Sequence, residues 1–187
     1  MLDPLFCPTG VAVIGVGREE GNVGHEIFDN IRAAGFKGKY FAVNPKAKEI
    51  HGEKVYASIK DIPYPVELAV IVVPSKIVPQ VMEEAGEKGV KVAIIISAGF
   101  KETGIEGARL ERQVIEIAHR HGIRVLGPNC LGAADTGCSL NTTFAKEIPN
   151  KGNIAMISQS GALLTAILDW AKAEEVGFSK FVSLGNK

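Results

Sequence analysis

The segment Val92-Ala-Ile-Ile-Ile-Ser-Ala-Gly99 begins as an uninterrupted apolar run and then changes abruptly to small and polar residues. Such a run is typical of a strand that is buried on both faces of a parallel sheet. A shorter strand, Val125–Leu126, is followed in the same way by Gly127-Pro-Asn-Cys130. Because ligands of open α/β sheets bind outside the carboxyl ends of the strands, both segments predict parts of a site for an anionic, nucleotide-like ligand.

Strands and helices are predicted to alternate along the chain before and after this segment. Further apolar runs predict strands at residues 11–15, 40–43, 68–73 and 124–126. Apolar residues between the runs recur every three or four positions, which predicts intervening helices. Ser75 is expected to cap one helix, and Thr103 with Glu106 is expected to form a capping box on the next. The alternation predicts a doubly wound α/β fold, with a parallel sheet covered by helices on both faces.

The alternation stops at residues 133–150, which are rich in Thr, Asn and Gly and are interpreted as a connection between domains. A new strand at 154–157, a helix and a strand at 181–184 follow. We therefore expect a first domain at 1–148 and the first β-α-β unit of an incomplete second domain at 149–187. Apolar side chains surround most of the helix, so we expect the sequence to be the front of a larger protein, or a partner to cover this helix.

Composition excludes several function classes. The chain has 187 residues, with 21 Lys and Arg against 21 Asp and Glu, so no overall field attracts it to nucleic acid or to a membrane. The first residues do not predict a signal peptide, and the apolar runs are too short to predict a membrane-spanning segment. Three cysteines predict reduced thiols and a cytoplasmic protein. The four histidines do not have metal-ligand spacing, so neither a metal site nor a catalytic residue is predicted.

Glycines follow the first strand in Gly15-Val-Gly17-Arg-Glu-Glu-Gly21-Asn-Val-Gly24. Backbone amides at such a strand–helix turn can bind pyrophosphate. The dinucleotide fingerprint is not met, because Glu20 stands where its third glycine belongs. The loop predicts phosphate binding, and the alternative is a purely structural turn.

The second strand ends in Asn44-Pro-Lys46 instead of the carboxylate that holds the ribose of NAD. A lysine in this place favours a ligand with an additional ribose phosphate, either NADP or coenzyme A. An NADP-dependent oxidoreductase or redox sensor is therefore one alternative, and a stand-alone CoA-binding module is another. Lys46 could equally be an ordinary solvated charge.

Small or apolar residues end the next two strands. Val73 and Pro74 could receive an adenine ring, or could simply end a strand. The sequence Ser97-Ala98-Gly99 would let a ligand lie against the main chain. Ser158-Gln-Ser160-Gly161 begins the last helix, where amides and hydroxyls could hold a phosphoryl group, although an ordinary serine-capped helix explains the same residues.

Several of these segments together resemble one family. They are 38–46, 72–74, 96–102, 127–132 and 158–161. In this order they resemble the ADP-forming acyl-CoA synthetases, of which ADP-forming acetate–CoA ligase is typical, and are similar to the α subunit of succinyl-CoA synthetase. The resemblance implies a Rossmann-like CoA-binding domain followed by the start of a flavodoxin-like domain.

The resemblance also implies a reaction and its components. Acyl-CoA, ADP and phosphate would be converted reversibly into acid, ATP and CoA, through an acyl phosphate and a phosphohistidine that none of the four histidines here matches. An ATP-grasp β subunit or fused domain would handle the nucleotide and any magnesium, and we expect an oligomer. The first loop departs from the family, which often has Gly-Ala-Ser where this chain has Gly15-Val-Gly17.

Two sets of site residues follow from the resemblance. The residues expected to contact CoA are Gly15, Val16, Gly17, Lys46, Val73, Pro74, Ser97, Ala98, Gly99 and Asn129. Those expected to cradle the phosphoryl group are Ser158, Ser160 and Gly161.

Overall fold

The computed structural model describes residues 2–19, 21–146 and 150–186. The helices are α1 (Asp3–Phe6), α2 (Val23–Ala33), α3 (Val78–Lys88), α4 (Ile105–His121) and α5 (Gly161–Ala173). The first seven strands are β1 (Gly10–Ile14), β2 (Lys39–Val43), β3 (Glu49–Ile50), β4 (Glu53–Tyr56), β5 (Leu68–Ile71), β6 (Val92–Ile95) and β7 (Arg124–Leu126). The others are β8 (Ala133–Asp135), β9 (Leu140–Asn141), β10 (Asn150–Ser158) and β11 (Gly177–Ser183).

Seven strands form the larger sheet in the order β3-β4-β2-β1-β5-β6-β7. All neighbouring pairs are parallel except β3 with β4. Every residue of β1, β5 and β6 is buried, as expected for strands covered on both faces. This arrangement confirms the doubly wound parallel sheet.

The helices cover the two faces of this sheet according to the alternation of side chains along the strands. On one face, Val11 and Val13 of β1 belong to a core that includes Ile27 of α2. On the other face, Ala12 and Ile14 belong to a core with α3 and α4. The sheet is therefore a middle layer with helices packed on both faces, which leaves the ends of its strands accessible.

Four strands form a smaller sheet in the order β10-β11-β8-β9. Strand β8 pairs with β11 in antiparallel fashion, with Phe181 opposite Ala134. Residues 133–150, interpreted from the sequence as a connection, thus contribute two strands and the first residue of a third. The sequence analysis did not predict these strands, because β8 pairs with β11, which lies more than 40 residues away in sequence. The predicted domain boundary between residues 148 and 149 lies outside the described residues.

Local cap predictions were less accurate than the elements themselves. Gly104 occupies the N-cap of α4, without a side-chain cap, and Thr103 instead donates its hydroxyl to the Phe100 carbonyl at 2.8 Å. The capping box of Thr103 and Glu106 was therefore wrong. Ser75 begins a short 3₁₀-helix before α3 and does not cap it. A 3₁₀ turn shifts the start of each helix away from the residue that the pattern favoured.

A disulfide joins Cys7, after α1, to Cys138, between β8 and β9, with their Cα atoms 5.6 Å apart. The prediction of three reduced thiols was wrong for these two residues. Sequence could not indicate their pairing, because 131 residues separate them and only the fold brings them together. Cys130 is buried, and its thiol donates to the Ile95 carbonyl at 3.4 Å. Among the described residues, no helix combines the length and the apolar character needed to cross a bilayer.

Candidate functional site

The carboxyl ends of five adjacent parallel strands form one edge of the larger sheet. These strands are β2, β1, β5, β6 and β7. The ladder continues one residue past β1 and β6, where Gly15 N–H donates to the Val43 carbonyl and Ile96 N–H to the Ile71 carbonyl. The loops that follow these strands carry all the residues expected to contact CoA. We name this edge, with those loops, the strand-end edge.

Gly15 is required by the close approach of two loops. Its φ is +104°, and a Cβ at this position would lie 2.2 Å from the Val72 carbonyl oxygen. A Cβ on Gly24, in the first turn of α2, would lie 2.6 Å from the Gly15 carbonyl oxygen. The glycines thus allow β1, β5 and α2 to pack tightly around the first loop.

Two asparagines fix the first loop. The Asn22 side chain accepts hydrogen bonds from Gly17 N–H (2.9 Å) and from His25 N–H (3.0 Å), so it caps α2 and holds the loop together. Asn44, after β2, donates its side-chain amide to the Val16 carbonyl at 2.7 Å. The Gly17 amide is therefore already used within the protein, and Val16 is completely buried beneath the edge.

Lys46 supplies positive charge to the strand-end edge. Its backbone N–H donates to the Asn44 side-chain oxygen at 2.8 Å, which fixes the turn after β2. The side chain is exposed, and no carboxylate in the described part of the chain forms an ion pair with it. The ammonium group is thus available to an anionic ligand.

The loop after β6 is held from two sides. Ser97 donates its hydroxyl to the Val73 carbonyl at 2.6 Å, which joins this loop to the one after β5. Glu102 accepts hydrogen bonds from Gly99 N–H (2.6 Å) and Phe100 N–H (3.1 Å). The sequence analysis did not identify Glu102 as part of the site, although an acidic residue three positions after Gly99 is a local signal for such a turn.

Glu102 is a negative charge at an edge expected to bind an anion. Burial raises the pKa of its carboxyl, but the hydrogen bonds from Gly99, Phe100 and Asn186 outweigh burial, and the pKa lies below its usual value. The carboxylate therefore occupies donors that a phosphate group would otherwise reach.

The end of the smaller sheet meets the same edge. Asn129 donates its backbone N–H to the Ser97 carbonyl at 3.0 Å, and its side-chain amide to the Asn186 side chain at 3.3 Å. Asn186 follows β11 and also donates to Glu102. The polar residues after β6, β7 and β11 thus form one continuous network.

Ser158, Ser160 and Gly161 lie at the other predicted site, where β10 leads into α5. The Ser160 hydroxyl accepts the Leu163 N–H at 3.2 Å and caps α5, while the Ser158 hydroxyl accepts the Ser160 N–H at 3.1 Å. Both hydroxyls therefore form hydrogen bonds within the local turn. Ser160 is exposed, and Ser158 is partly exposed.

A cleft of about 430 Å³ borders the strand-end edge near Gly99. Its cationic lining residues are Lys76, in the short 3₁₀-helix before α3, and Arg109, on α4. The sequence analysis singled out neither residue, because each is one of many charged positions on a helical surface. His25, in the first turn of α2, contacts the first loop through Nδ1, which lies 3.0 Å from the Gly17 carbonyl oxygen.

Comparisons with known proteins assign this chain to a family. A family model described as the CoA binding domain matches residues 9–136, and one described as the succinyl-CoA ligase like flavodoxin domain matches residues 151–187. An acetate–CoA ligase (ADP-forming) I of Archaeoglobus fulgidus is 53% identical over the whole chain, which spans 27% of that relative. The α subunit of acetate–CoA ligase (ADP-forming) II of Pyrococcus furiosus is 50% identical, and the chain spans 40% of it.

A solved structure agrees with these relatives. The acetyl-coenzyme A synthetase 1 of Candidatus Korarchaeum cryptofilum, solved with phosphate and ADP, matches 99% of the chain with a TM-score of 0.95 and 42% identity, and the chain covers 39% of it. The chain therefore spans well under half the length of these proteins. By its sequence and its fold, the chain belongs to the CoA-binding domain family, and along its whole length it is similar to part of the ADP-forming acetate–CoA ligases.

Proposed function

We propose that the strand-end edge binds coenzyme A. The observation that carries the proposal is the convergence of the loops after five adjacent parallel strands, with the exposed ammonium group of Lys46 at one end, which forms no ion pair with the described carboxylates. Coenzyme A combines a pyrophosphate, which suits the glycine loop, with a ribose phosphate, which suits a lysine. The family assignment supports this ligand over NADP.

Different parts of the ligand would contact different loops. The pyrophosphate would lie near Gly15 and Gly17 at the start of α2, where the helix dipole is favourable. The ribose phosphate would contact Lys46. The adenine would rest against Val73 and Pro74, which are partly or fully exposed. Ser97, Ala98, Gly99 and Asn129 would line the path of the remaining chain of CoA.

Titration calorimetry with CoA and dephospho-CoA tests the role of Lys46, using the whole polypeptide that contains this chain and any subunit purified with it. We expect CoA to bind roughly tenfold more tightly, which corresponds to about 1.4 kcal/mol for one charge-assisted contact. Lys46→Ala should remove the preference. Lys48→Ala, an exposed lysine two residues away, is the matched control and should preserve it.

Two results would contradict the proposal. Equal affinities for CoA and dephospho-CoA in the unmodified protein would exclude Lys46 as the phosphate contact. No detectable binding of either compound, or tighter binding of NADP than of CoA, would exclude the site itself.

We further propose that the chain acts within an ADP-forming acyl-CoA synthetase, which interconverts acyl-CoA, ADP and phosphate with acid, ATP and CoA. Relatives named as α subunits support a separate nucleotide-binding partner, and the length of the Archaeoglobus fulgidus relative is consistent with a fused one. In this proposal magnesium and ADP or ATP bind to that ATP-grasp partner or domain. Ser158, Ser160 and Gly161 would face the phosphoryl group, and no catalytic residue is assigned to this chain.

We place this activity in the cytoplasm, because the proposed substrates are small phosphorylated metabolites. Intracellular proteins of hyperthermophilic archaea commonly retain disulfides. In such an organism, the Cys7–Cys138 disulfide is compatible with a cytoplasmic protein. An oligomer follows from the proposed nucleotide partner if that partner is a separate subunit.

A further inference from the structure

Three side chains with metal-ligating atoms meet beside the first loop. Nε2 of His25 lies 3.0 Å from Nε2 of His51, and 3.4 Å from Oδ2 of Asp29. Nε2 of His51 lies 3.1 Å from Oδ1 of Asp29. We name these residues the His25–Asp29–His51 cluster. The comparisons and the proposed CoA site assign no role to it.

The tautomer of His25 is determined by its surroundings. Nδ1 of His25 lies 3.0 Å from the Gly17 carbonyl oxygen, which can only accept, so Nδ1 carries the proton. In the neutral ring, Nε2 then has a free lone pair directed into the cluster. A histidine that donates one ring N–H to a backbone carbonyl and offers the other nitrogen is the usual arrangement at protein metal sites.

The cluster contains more acceptors than its own groups satisfy. A proton on Nε2 of His51 can be donated to Nε2 of His25 (3.0 Å) or towards Oδ1 of Asp29 (3.1 Å), and this Oδ1 is shielded from solvent yet accepts no hydrogen bond of good geometry. A buried carboxylate oxygen without a donor is costly. A cation between the three side chains would satisfy both nitrogens and this oxygen at once.

The spacing of the atoms fits a tetrahedral ion. Zinc binds imidazole nitrogen and carboxylate oxygen at about 2.0–2.2 Å, so two ligand atoms of a tetrahedron lie roughly 3.3–3.5 Å apart. The three separations observed are 3.0, 3.1 and 3.4 Å. Small movements of the side chains would bring the three ligand atoms to zinc geometry.

The backbone fixes the ligands in advance. His25 and Asp29 lie one turn apart on the same face of α2. His51 is the first residue of the two-residue turn between β3 and β4, and both His51 (φ 52°) and Gly52 (φ 77°) have positive φ. This is the signature of a type I′ hairpin, which holds the histidine in a defined position.

We propose that His25, Asp29 and His51 bind one zinc ion, or a divalent first-row metal of similar chemistry. Two imidazoles and a carboxylate leave one coordination position open, as in zinc sites that also bind water or a ligand. The ion would join the β3–β4 hairpin to α2 and, through His25 and Gly17, would stabilise the first loop. The site does not depend on the proposed binding of CoA.

Metal binding can be measured without any substrate. The whole polypeptide, purified without a histidine tag and treated with a chelator, is titrated with Zn²⁺ in competition with a chromophoric chelator. The titration is repeated with Co²⁺, whose visible absorption distinguishes tetrahedral from octahedral coordination. We expect one tight zinc equivalent that His51→Gln and Asp29→Asn each weaken by roughly 100-fold, the upper range for perturbing a metal shell, together with a tetrahedral cobalt spectrum.

His119→Gln is the matched control, because His119 is an exposed histidine on α4 outside the cluster. This variant should retain the zinc equivalent. Circular dichroism of each variant shows whether it is folded, and zinc should raise the melting temperature of the unmodified protein but not of Asp29→Asn. An unmodified protein that binds no zinc equivalent, or binds it as tightly as the two cluster variants do, would overturn the proposal.

Discussion

The two sheets differ in how completely their apolar side chains are covered. In the larger sheet, the central strands β1, β5 and β6 are buried at every position, with cores on both faces. In the smaller sheet, most of β10 is exposed, and Ile157 is 64% and Trp170 57% exposed. The larger sheet thus has the rigidity needed to position several loops at one edge, whereas the smaller sheet exposes apolar surface that a neighbour would cover.

The largest expected effect concerns the covalent link between the two regions. Replacing Cys7 and Cys138 together by Ala should lower the free energy of unfolding by about 4 kcal/mol, because a loop of more than 100 residues is no longer constrained in the unfolded chain. Urea denaturation without reductant measures the loss. Reductant should destabilise the unmodified protein and leave the double variant unchanged; an equal response of both would show that the disulfide does not link the sheets.

A matched pair of isoleucines compares the packing of the two sheets directly. Ile94 in β6 is completely buried, and Ile157 in β10 is 64% exposed. Ile94→Ala should lower the free energy of unfolding by about 3 kcal/mol, and Ile157→Ala by less than about 0.5 kcal/mol. Thermal denaturation of both variants gives the difference. A large effect of Ile157→Ala would mean that a neighbour covers β10 in the assembled protein.

Gly15→Ala tests the tight packing beneath the strand-end edge. The new Cβ would collide with the Val72 carbonyl at a positive φ, so we expect a loss of about 2–3 kcal/mol of stability and weaker CoA binding. Gly21→Ala is the control: its φ is +85°, but nothing lies within 4 Å of its Cβ, and only the backbone cost of about 1 kcal/mol applies. Equal effects in calorimetry would show that the close contact at Gly15 is unimportant.

The smallest expected effect is a pH dependence at Glu102. Its pKa is lower in the folded protein than in the unfolded chain, so its stabilising contribution is complete above the ordinary glutamate pKa of about 4.3 and is lost as the pH falls through the lower, folded value. Because Glu102 is exposed, the contribution is small. Glu102→Gln should reduce the acid sensitivity of the urea midpoint below about pH 4.5, and an unchanged pH profile would contradict this role.

Local apolar patterns were sufficient to predict most of the larger sheet. Its five parallel core strands coincide with apolar runs, and a glycine with positive φ follows both α2 (Gly35) and α3 (Gly89). The β3–β4 hairpin was missed because its strands are short and largely polar, with only His51-Gly52 to indicate the turn. Short edge strands depend on pairing more than on their own composition.

Non-local pairing explains the remaining differences. The Cys7–Cys138 disulfide and the pairing of β8 with β11 each join segments that are distant in sequence. The His25–Asp29–His51 cluster combines an i, i+4 pair with a hairpin tip, so no contiguous motif contains it. The residues expected at the CoA site lie on one edge of the sheet because the carboxyl ends of parallel strands lie on the same side. The sequence therefore predicted the position of the edge. It did not predict which backbone amides are already hydrogen-bonded within the protein.

A structure of the whole polypeptide with bound CoA tests the central claim most directly. The account predicts the ribose phosphate of CoA within hydrogen-bond distance of Lys46, the pyrophosphate beside Gly15 and Gly17, and the adenine against Pro74. A structure with CoA bound only at the smaller sheet, near Ser158–Gly161, or on another surface of the protein would contradict the account.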